Sequence, residues 1–440
     1  MHPKKAIAAL LLQILSGLAV FACSNLWAQS PELSSSTPGA PALAKEASAP
    51  LTLPAAIDLA LAANPELSAA TNEWRAVEGT VIQAGLLPNP EISTMVEDTA
   101  DKETRTTTIQ INQLIELGGK RSARVDFAER ELGMAAAALS AKRLDVRASV
   151  VGAFFDVLVA QERVQQAGDL YGIAQRATEA AARRVIAGKI SPVEESKARI
   201  AEASTRIDLN QARSELLAAR KRLAASWGSP EPNFERVEGQ IDSLPAIPSA
   251  EEISRRLNSS PALASARYDA ARFAALVELE RANRMPDLTV SLGSQRVEEL
   301  GRNQTIVGLS IPLPIFDRNQ GKVREALRRA DKARDELKAI ELRLGTEVAQ
   351  SQERLKALVA EAQTLQSEIV PGARSAYEAT SKGFELGKFS FLEVLDAQRT
   401  FFQARAQYLR SLAEAHRTSA ELERVLGSVD SISPDLEKSP

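Results

Sequence analysis

The sequence predicts a mainly α fold with a small β part, arranged as two structural repeats, and three observations carry that reading. Composition is the first: of 440 residues, 44% are hydrophobic but only 4% aromatic, while Ala, Leu, Glu, Arg and Gln abound. Long, closely packed helices use that mix, and a bulky globular core does not. Duplication is the second. Asn64-Pro65-Glu66-Leu67-Ser68-Ala69-Ala70 returns as Ser260-Pro261-Ala262-Leu263-Ala264-Ser265-Ala266, and Leu87-Pro88 returns as Met285-Pro286. Gly188-Lys189-Ile190-Ser191 returns 199 positions later as Gly387-Lys388-Phe389-Ser390, and Trp227-Gly228 returns at the same interval as Leu426-Gly427. Anchors that keep their order and spacing mark an internal repeat. The third is a set of short segments in which apolar and polar residues alternate, a strand pattern set among helical ones.

Along the chain, residues 1–28 read as a secretory signal: Lys4 and Lys5, an apolar run from Ala6 to Ala22, then Leu26-Trp27-Ala28. Two ways of processing stay open, cleavage after Ala28 or lipidation at Cys23, which follows Val20-Phe21-Ala22. Residues 29–50 are rich in Ser, Pro and Ala and are expected to form a flexible lead-in. The first repeat is placed at 51–228, a Pro-rich linker at 229–249, the second repeat at 250–427 and a tail at 428–440.

Each repeat should hold a short helix, a medium helix, two strands, a very long helix, a tight turn and a return helix. The strands are expected near 90–98, 104–114, 286–297 and 303–313. Ile109 and Ile111 alternate with Thr108, Gln110 and Asn112, and Leu288, Val290 and Leu292 with Thr289, Ser291 and Gly293. Segments of roughly ten residues match a tilted strand crossing an outer membrane. Four strands cannot close a barrel alone, so a spanning sheet requires several copies of the chain. A pair of hairpins merely capping the helices is the alternative, and Phe316 is the only ring nearby where membrane barrels carry aromatic girdles.

No proline interrupts Lys120 to Ala187, and Leu144, Ala148, Val151, Phe155 and Leu158 fall at heptad spacing. The second repeat answers with Leu344, Val348, Ser351, Leu355, Leu358, Ala362, Leu365 and Ile369, after which Pro371 should kink or break the rod. Ser191-Pro192-Val193-Glu194 and Ser390-Phe391-Leu392-Glu393 each read as a capping box opening a return helix.

Charge and rare residues exclude much. Lys and Arg total 54 against 57 Asp and Glu, a net charge of -3, so no basic field exists for nucleic acid. His2 and Cys23 lie in the signal segment and leave His416 alone in the body, read as a surface helix residue. No disulfide, zinc site or thiol nucleophile can be assembled there, and no catalytic residue, bound metal or cofactor is expected. Glu393 and Asp396 share a helix face as a glycosidase pair would, but an enzyme is the weaker reading. A soluble periplasmic coiled-coil scaffold would explain the rods and leave the four strands unexplained.

The whole stretch from 51 to 428 resembles the TolC-like outer-membrane efflux proteins. Ala84-Gly85-Leu86-Leu87-Pro88-Asn89-Pro90 and Gln113-Leu114-Ile115-Glu116-Leu117-Gly118-Gly119-Lys120-Arg121 look like the cobalt-zinc-cadmium (CzcC-type) branch. So does Ile311-Pro312-Leu313-Pro314-Ile315-Phe316 followed by Arg318-Asn319-Gln320-Gly321. The resemblance implies a homotrimer in which four strands per chain build a shared twelve-stranded barrel in outer-membrane lipid, continued by a periplasmic α-barrel of long helical hairpins. It also implies a periplasmic adaptor (membrane fusion) protein and an inner-membrane proton-driven pump as partners, with export of cobalt, zinc, cadmium or nickel. Drug efflux or type I secretion is the alternative cargo. By the same resemblance the hairpin tips, Gly188 with Ile190 and Gly387 with Phe389, would dock the adaptor, and Glu393 with Asp396 would form an acidic gate at the pore entrance.

Overall fold

The computed structural model describes residues 50–239, 243–386, 388–389 and 391–427. The signal segment, Cys23, the lead-in through 49, Gly387, Ser390 and the tail from 428 lie outside them. A two-residue strand β1 (Leu51–Thr52) leads into α1 (Leu53–Ala63), α2 (Pro65–Ala84), β2 (Glu91–Glu97), β3 (Thr106–Ile115), α3 (Lys120–Ile186) and α4 (Pro192–Ala225). Strand β4 (Val237–Glu238) follows, then α5 (Ala250–Asn258), α6 (Pro261–Ala282), β5 (Leu288–Val297), β6 (Arg302–Ser310), α7 (Gln320–Thr364), α8 (Val370–Glu385) and α9 (Phe391–Leu426). The 67 residues of α3 make a rod of about 100 Å at 1.5 Å per residue.

Local chemistry explains where helices begin and end. Asn64 Oδ1 accepts from the Leu67 amide at 2.9 Å, and Ser260 Oγ accepts from the Leu263 amide at 3.2 Å, so the repeated Asn/Ser-Pro anchors are N-caps with proline at the first helical position. Ser191 departs from the expected capping box. Its hydroxyl accepts from Val193 at 3.3 Å, while Glu194 turns outward to Lys197 at 2.9 Å instead of reaching back. An ion pair one turn along competes for the carboxylate and leaves a one-sided cap.

Laterally, α3 packs on α4 and α9, and α9 packs on α7. The helical order is therefore α4, α3, α9, α7. Nearer the strands, α2 lies on α3, α3 on α6 and α6 on α7. The strands join one antiparallel sheet in the order β2-β3-β5-β6, while β1 and β4 form a separate parallel pair joining Leu51 to Val237.

The core corrects the expected seam in the first repeat. Leu144, Phe155 and Leu158 are buried, but Ala148 and Val151 are only partly so. A deeper seam runs beside it through Val146, Val150, Phe154 and Val157, with Val150 at 0% and Phe154 at 1% exposure. It shares a core with Ala56 and Ala60 of α1 and Ala219 and Leu223 of α4. A helix clasped on two sides buries two adjacent stripes, and heptad spacing marks only one of them.

Nor does Pro371 break the second rod. Residues Leu365–Ile369 form a π-helical turn closed by a Val370 amide to Leu365 carbonyl bond, and α8 runs on through Pro371. Widening the turn accommodates a residue that lacks an N–H and crowds the preceding turn. The extra residue also shifts the apolar register. Leu365 is followed inward by Val370, five residues on, and Ile369 is turned out with 46% exposure.

Phe154→Ala should cost about 3–5 kcal/mol, whereas Ile369→Ala should cost less than about 0.5 kcal/mol, both read from denaturant unfolding in detergent. Equal losses would contradict this account of the seams.

Candidate channel wall and entrance

Facing residues in a β-ladder lie on one side of the sheet, so the register defines its two surfaces. Ile92, Ile111, Leu292 and Val307 form one cross-strand row, with Val290 and Leu309 beside it. All four residues of that row are exposed. On the other side Glu91, Asn112, Ser291 and Gly308 form one row, and Met95, Thr108, Gln295 and Gln304 another. Asn112 Nδ2 donates to Ser93 Oγ at 3.1 Å, and Ser291 Oγ donates to Asn112 Oδ1 at 2.6 Å. Around the Ile92 row the sheet thus presents an apolar band fit for lipid, which gives way to Thr107, Arg296 and Asn303 further along the same side, while the other side is polar and hydrogen-bonded. No helix among the described residues is long and apolar enough to cross a membrane.

The joint between sheet and rods is fastened by ion pairs that sequence spacing does not reveal. Lys120, first in α3, meets Asp287 at 2.7 Å, and the same carboxylate accepts from the Leu117 amide at 3.1 Å. Arg124 holds Glu116 through two bonds of 2.6 and 3.1 Å and also donates to the Ala84 and Leu86 carbonyls. Gly118 passes so close to α6 that a Cβ there would lie 2.7 Å from the Met285 side chain, and its φ of +70° is left-handed as well. Only glycine meets both conditions.

At the far end of α3, Lys189 donates its amide to the Arg184 carbonyl at 2.8 Å and Gly188 to Val185 at 2.9 Å, with Gly188 at φ +68°. This pair of bonds is the Schellman close of a helix. The second tip repeats its outer bond, Lys388 amide to Gly383 carbonyl at 2.8 Å. Gly188 is exposed and Ile190 half-buried. Phe389 lies over Gly383, where a Cβ would collide with its ring.

Glu393 and Asp396 both point outward from the first turns of α9, because Val394, Leu395 and Gln398 occupy its buried side. Three residues apart on a helix, the two carboxylates share the exposed face. Gln398 is fully buried, and among the described residues neither its amide nitrogen nor its oxygen has a hydrogen-bond partner. The equivalent turn of the first hairpin carries the Glu194–Lys197 pair.

His416 is not the surface residue expected. Its ring stacks on Phe155 with centroids 3.9 Å apart and planes within 11°, and Nε2–H donates to the Ser243 carbonyl at 2.7 Å, tying the linker to α9. The ring edges a cavity of about 450 Å³ shared with Arg147, Glu238 and Glu423. Burial lowers its pKa below the ordinary histidine value, the hydrogen bond to Ser243 acting in the opposite sense. Among the described residues no group of three or more His, Cys, Asp or Glu side chains comes together in a way that could hold a metal ion.

The outer membrane efflux protein family matches the chain twice, at residues 56–229 and 253–428. The chain belongs to that family. This efflux protein is 47% identical over 387 residues to the cobalt-zinc-cadmium resistance protein CzcC of Cupriavidus metallidurans, covering 88% of this chain and 92% of the other. It is 28% identical over 306 residues to the nickel and cobalt resistance protein CnrC of the same organism, covering 68% and 72%. Its fold is similar to the open state of the outer membrane channel MtrE of Neisseria gonorrhoeae, with a TM-score of 0.73, 21% identity, and 86% and 89% of the two chains covered. The fold is TolC-like, as the resemblance implied, and the protein is an outer membrane efflux protein.

The pH response of this efflux protein follows from His416. Because its folded-state pKa lies below the unfolded value of about 6.5, the stability contributed by the neutral ring is complete above that pH and is lost as the pH falls through the folded-state value. Unfolding midpoints should therefore drop between about pH 7.5 and about pH 5.5, and His416→Leu should flatten that portion of the profile. An unchanged profile in the variant would exclude the ring as its source.

Proposed function

We propose that the protein is the outer-membrane duct of a tripartite, proton-driven efflux system that exports divalent heavy-metal cations: cobalt, zinc, cadmium or nickel. The observation that carries this is 47% identity across nearly the full length of a relative named for cobalt-zinc-cadmium resistance. Passage through a family member of this kind is conduction, not catalysis, and the chain is not an enzyme.

Three copies form the working ring. Backbone groups facing lipid must be paired, and β2 and β6 stand at the two ends of the sheet. Pairing β6 of each copy with β2 of the next closes the sheet head to tail, and three copies supply twelve strands. The helices support the same direction, since α4 and α7 are the outer members of the lateral order. Repeats at 51–228 and 250–427, joined by a linker at 229–249, then alternate around the ring.

The hairpin tips, Gly188 with Ile190 and Gly387 with Phe389, meet the periplasmic adaptor, beyond which stands the inner-membrane pump. Glu393 and Asp396, both exposed at one end of α9, form the entrance gate. A ring of three copies gathers six such carboxylates at one mouth, which concentrates cations and disfavours anions. Residues 1–28 direct export, and Cys23 is removed with them or carries lipid.

Deleting the gene should sensitise cells to zinc, cobalt, cadmium or nickel more than to dyes or detergents, measured as growth inhibition. Sensitivity to dyes alone would overturn the metal reading. Glu393→Gln with Asp396→Asn should reduce cation preference in a planar bilayer, most clearly at low salt. An unchanged preference would leave both carboxylates as ordinary surface residues of α9.

A further inference from the structure

The loop between β6 and α7 presents apolar side chains that the described residues leave uncovered. Phe316 is 90% exposed, Leu313 74% and Ile315 62%. The loop is nonetheless held in place. Arg318 Nε donates to the Pro314 carbonyl at 3.2 Å, the Arg318 amide to Gln320 Oε1 at 2.8 Å, and the Asn319 amide to Asp317 Oδ1 at 2.8 Å. Asn319 Nδ2 then anchors the segment to α6 through the Glu280 carbonyl at 2.8 Å. The polar half of this motif is spent fastening the apolar half outward, a costly arrangement unless something apolar covers it.

A complementary surface lies at the other end of the sheet. Leu86 and Leu87, just before β2, are exposed. Together with Pro88, Ala84 and Phe127 they make the apolar side of an open groove of about 510 Å³, whose other side carries Arg124, Glu116 and Glu131. Topology brings the two together. All ladders of the sheet are antiparallel, so β6 of one copy beside β2 of the next would run antiparallel too. The end of β6 and the start of β2 then share one rim. The loop leaving Ser310 and the loop arriving at Glu91 become neighbours wherever the ring closes.

We propose that Phe316 of each copy seats in the Leu86–Leu87–Phe127 groove of the next, making an inter-copy latch at the rim where barrel meets rods. The latch rests on the head-to-tail ring proposed above. It gives a shared purpose to the exposed apolar side chains of two motifs, Leu86-Leu87-Pro88 and Pro312 to Phe316, whose backbone carbonyls are already held by Arg124, Gln113, Arg318 and Gln320. A heterologous contact of this kind closes into a ring when each copy offers both knob and pocket.

A photo-crosslinking benzoylphenylalanine placed at 316 in the full-length protein, in its own membrane, tests the latch. The expected product is two chains joined between 316 and a peptide containing residues 82–90 or Phe127. The reciprocal probe at 87 should join the 311–318 loop of a second copy. A lipid adduct at 316, or no adduct while native mass still shows three copies, would overturn the latch and leave the ring standing. A single-copy native mass would overturn the ring itself. Should the bulky probe prevent assembly, the pair Leu87→Cys with Leu313→Cys gives the same reading through disulfide-linked chains on oxidation, and absence of the link in an intact trimer would again refute the latch.

Discussion

Backbone amides within hydrocarbon cannot turn to water, so each must find a partner in protein. In this chain the demand falls on the outer edges of β2 and β6, at the two ends of a sheet with an apolar band on one side and a polar other side. Four strands satisfy their own inner edges and no more. Everything else in the molecule is consistent with meeting that requirement between copies, because the repeats place a strand hairpin, a medium helix and a long rod in the same lateral direction. A closed ring of strands thereby commits the helices beneath it to a ring as well.

Rods of this length need seams continuous enough to hold and loose enough to move. In the first repeat α3 is gripped by α1, α4 and α9 through Phe154, Val150 and their neighbours. The second rod relies on smaller clusters and includes a π turn before Pro371. At its tip lie a fully buried Gln398, without hydrogen-bond partners among the described residues, and two exposed carboxylates, Glu393 and Asp396. At the first tip Glu194 pairs with Lys197. The two hairpins share a frame and differ in the side chains they carry at their tips.

The joint is where the two materials meet. Glycines 118 and 119 let the chain turn from strand into rod, and Lys120 with Asp287 ties the two repeats together at the same level. A pair with both side chains mostly shielded gains from reduced dielectric but must be well bonded, and Asp287 takes a second hydrogen bond from Leu117. Sheet orientation and rod orientation are therefore fixed jointly.

Much of this was legible in the amino-acid sequence, for physical reasons that are local. Period-2 alternation located the strands, Asn/Ser-Pro and Gly anchors located helix ends, and their recurrence exposed the duplication, because each depends on a few neighbouring residues. That Glu393 and Asp396 share one face of a helix also followed from helical spacing. Tertiary structure decided what depends on which elements meet. It revealed the second buried seam of α3, since a heptad count cannot say how many partners a helix has. At Pro371, where a kink or break was expected, it placed a π turn from which the helix continues, because widening the turn makes room for a residue without an N–H. It drew His416 from the surface into a stack with Phe155, and joined Lys120 to Asp287 across 167 positions. Sequence determined the parts and their order through short-range geometry; only the folded chain determined their neighbours, because burial and long-range pairing depend on three-dimensional proximity.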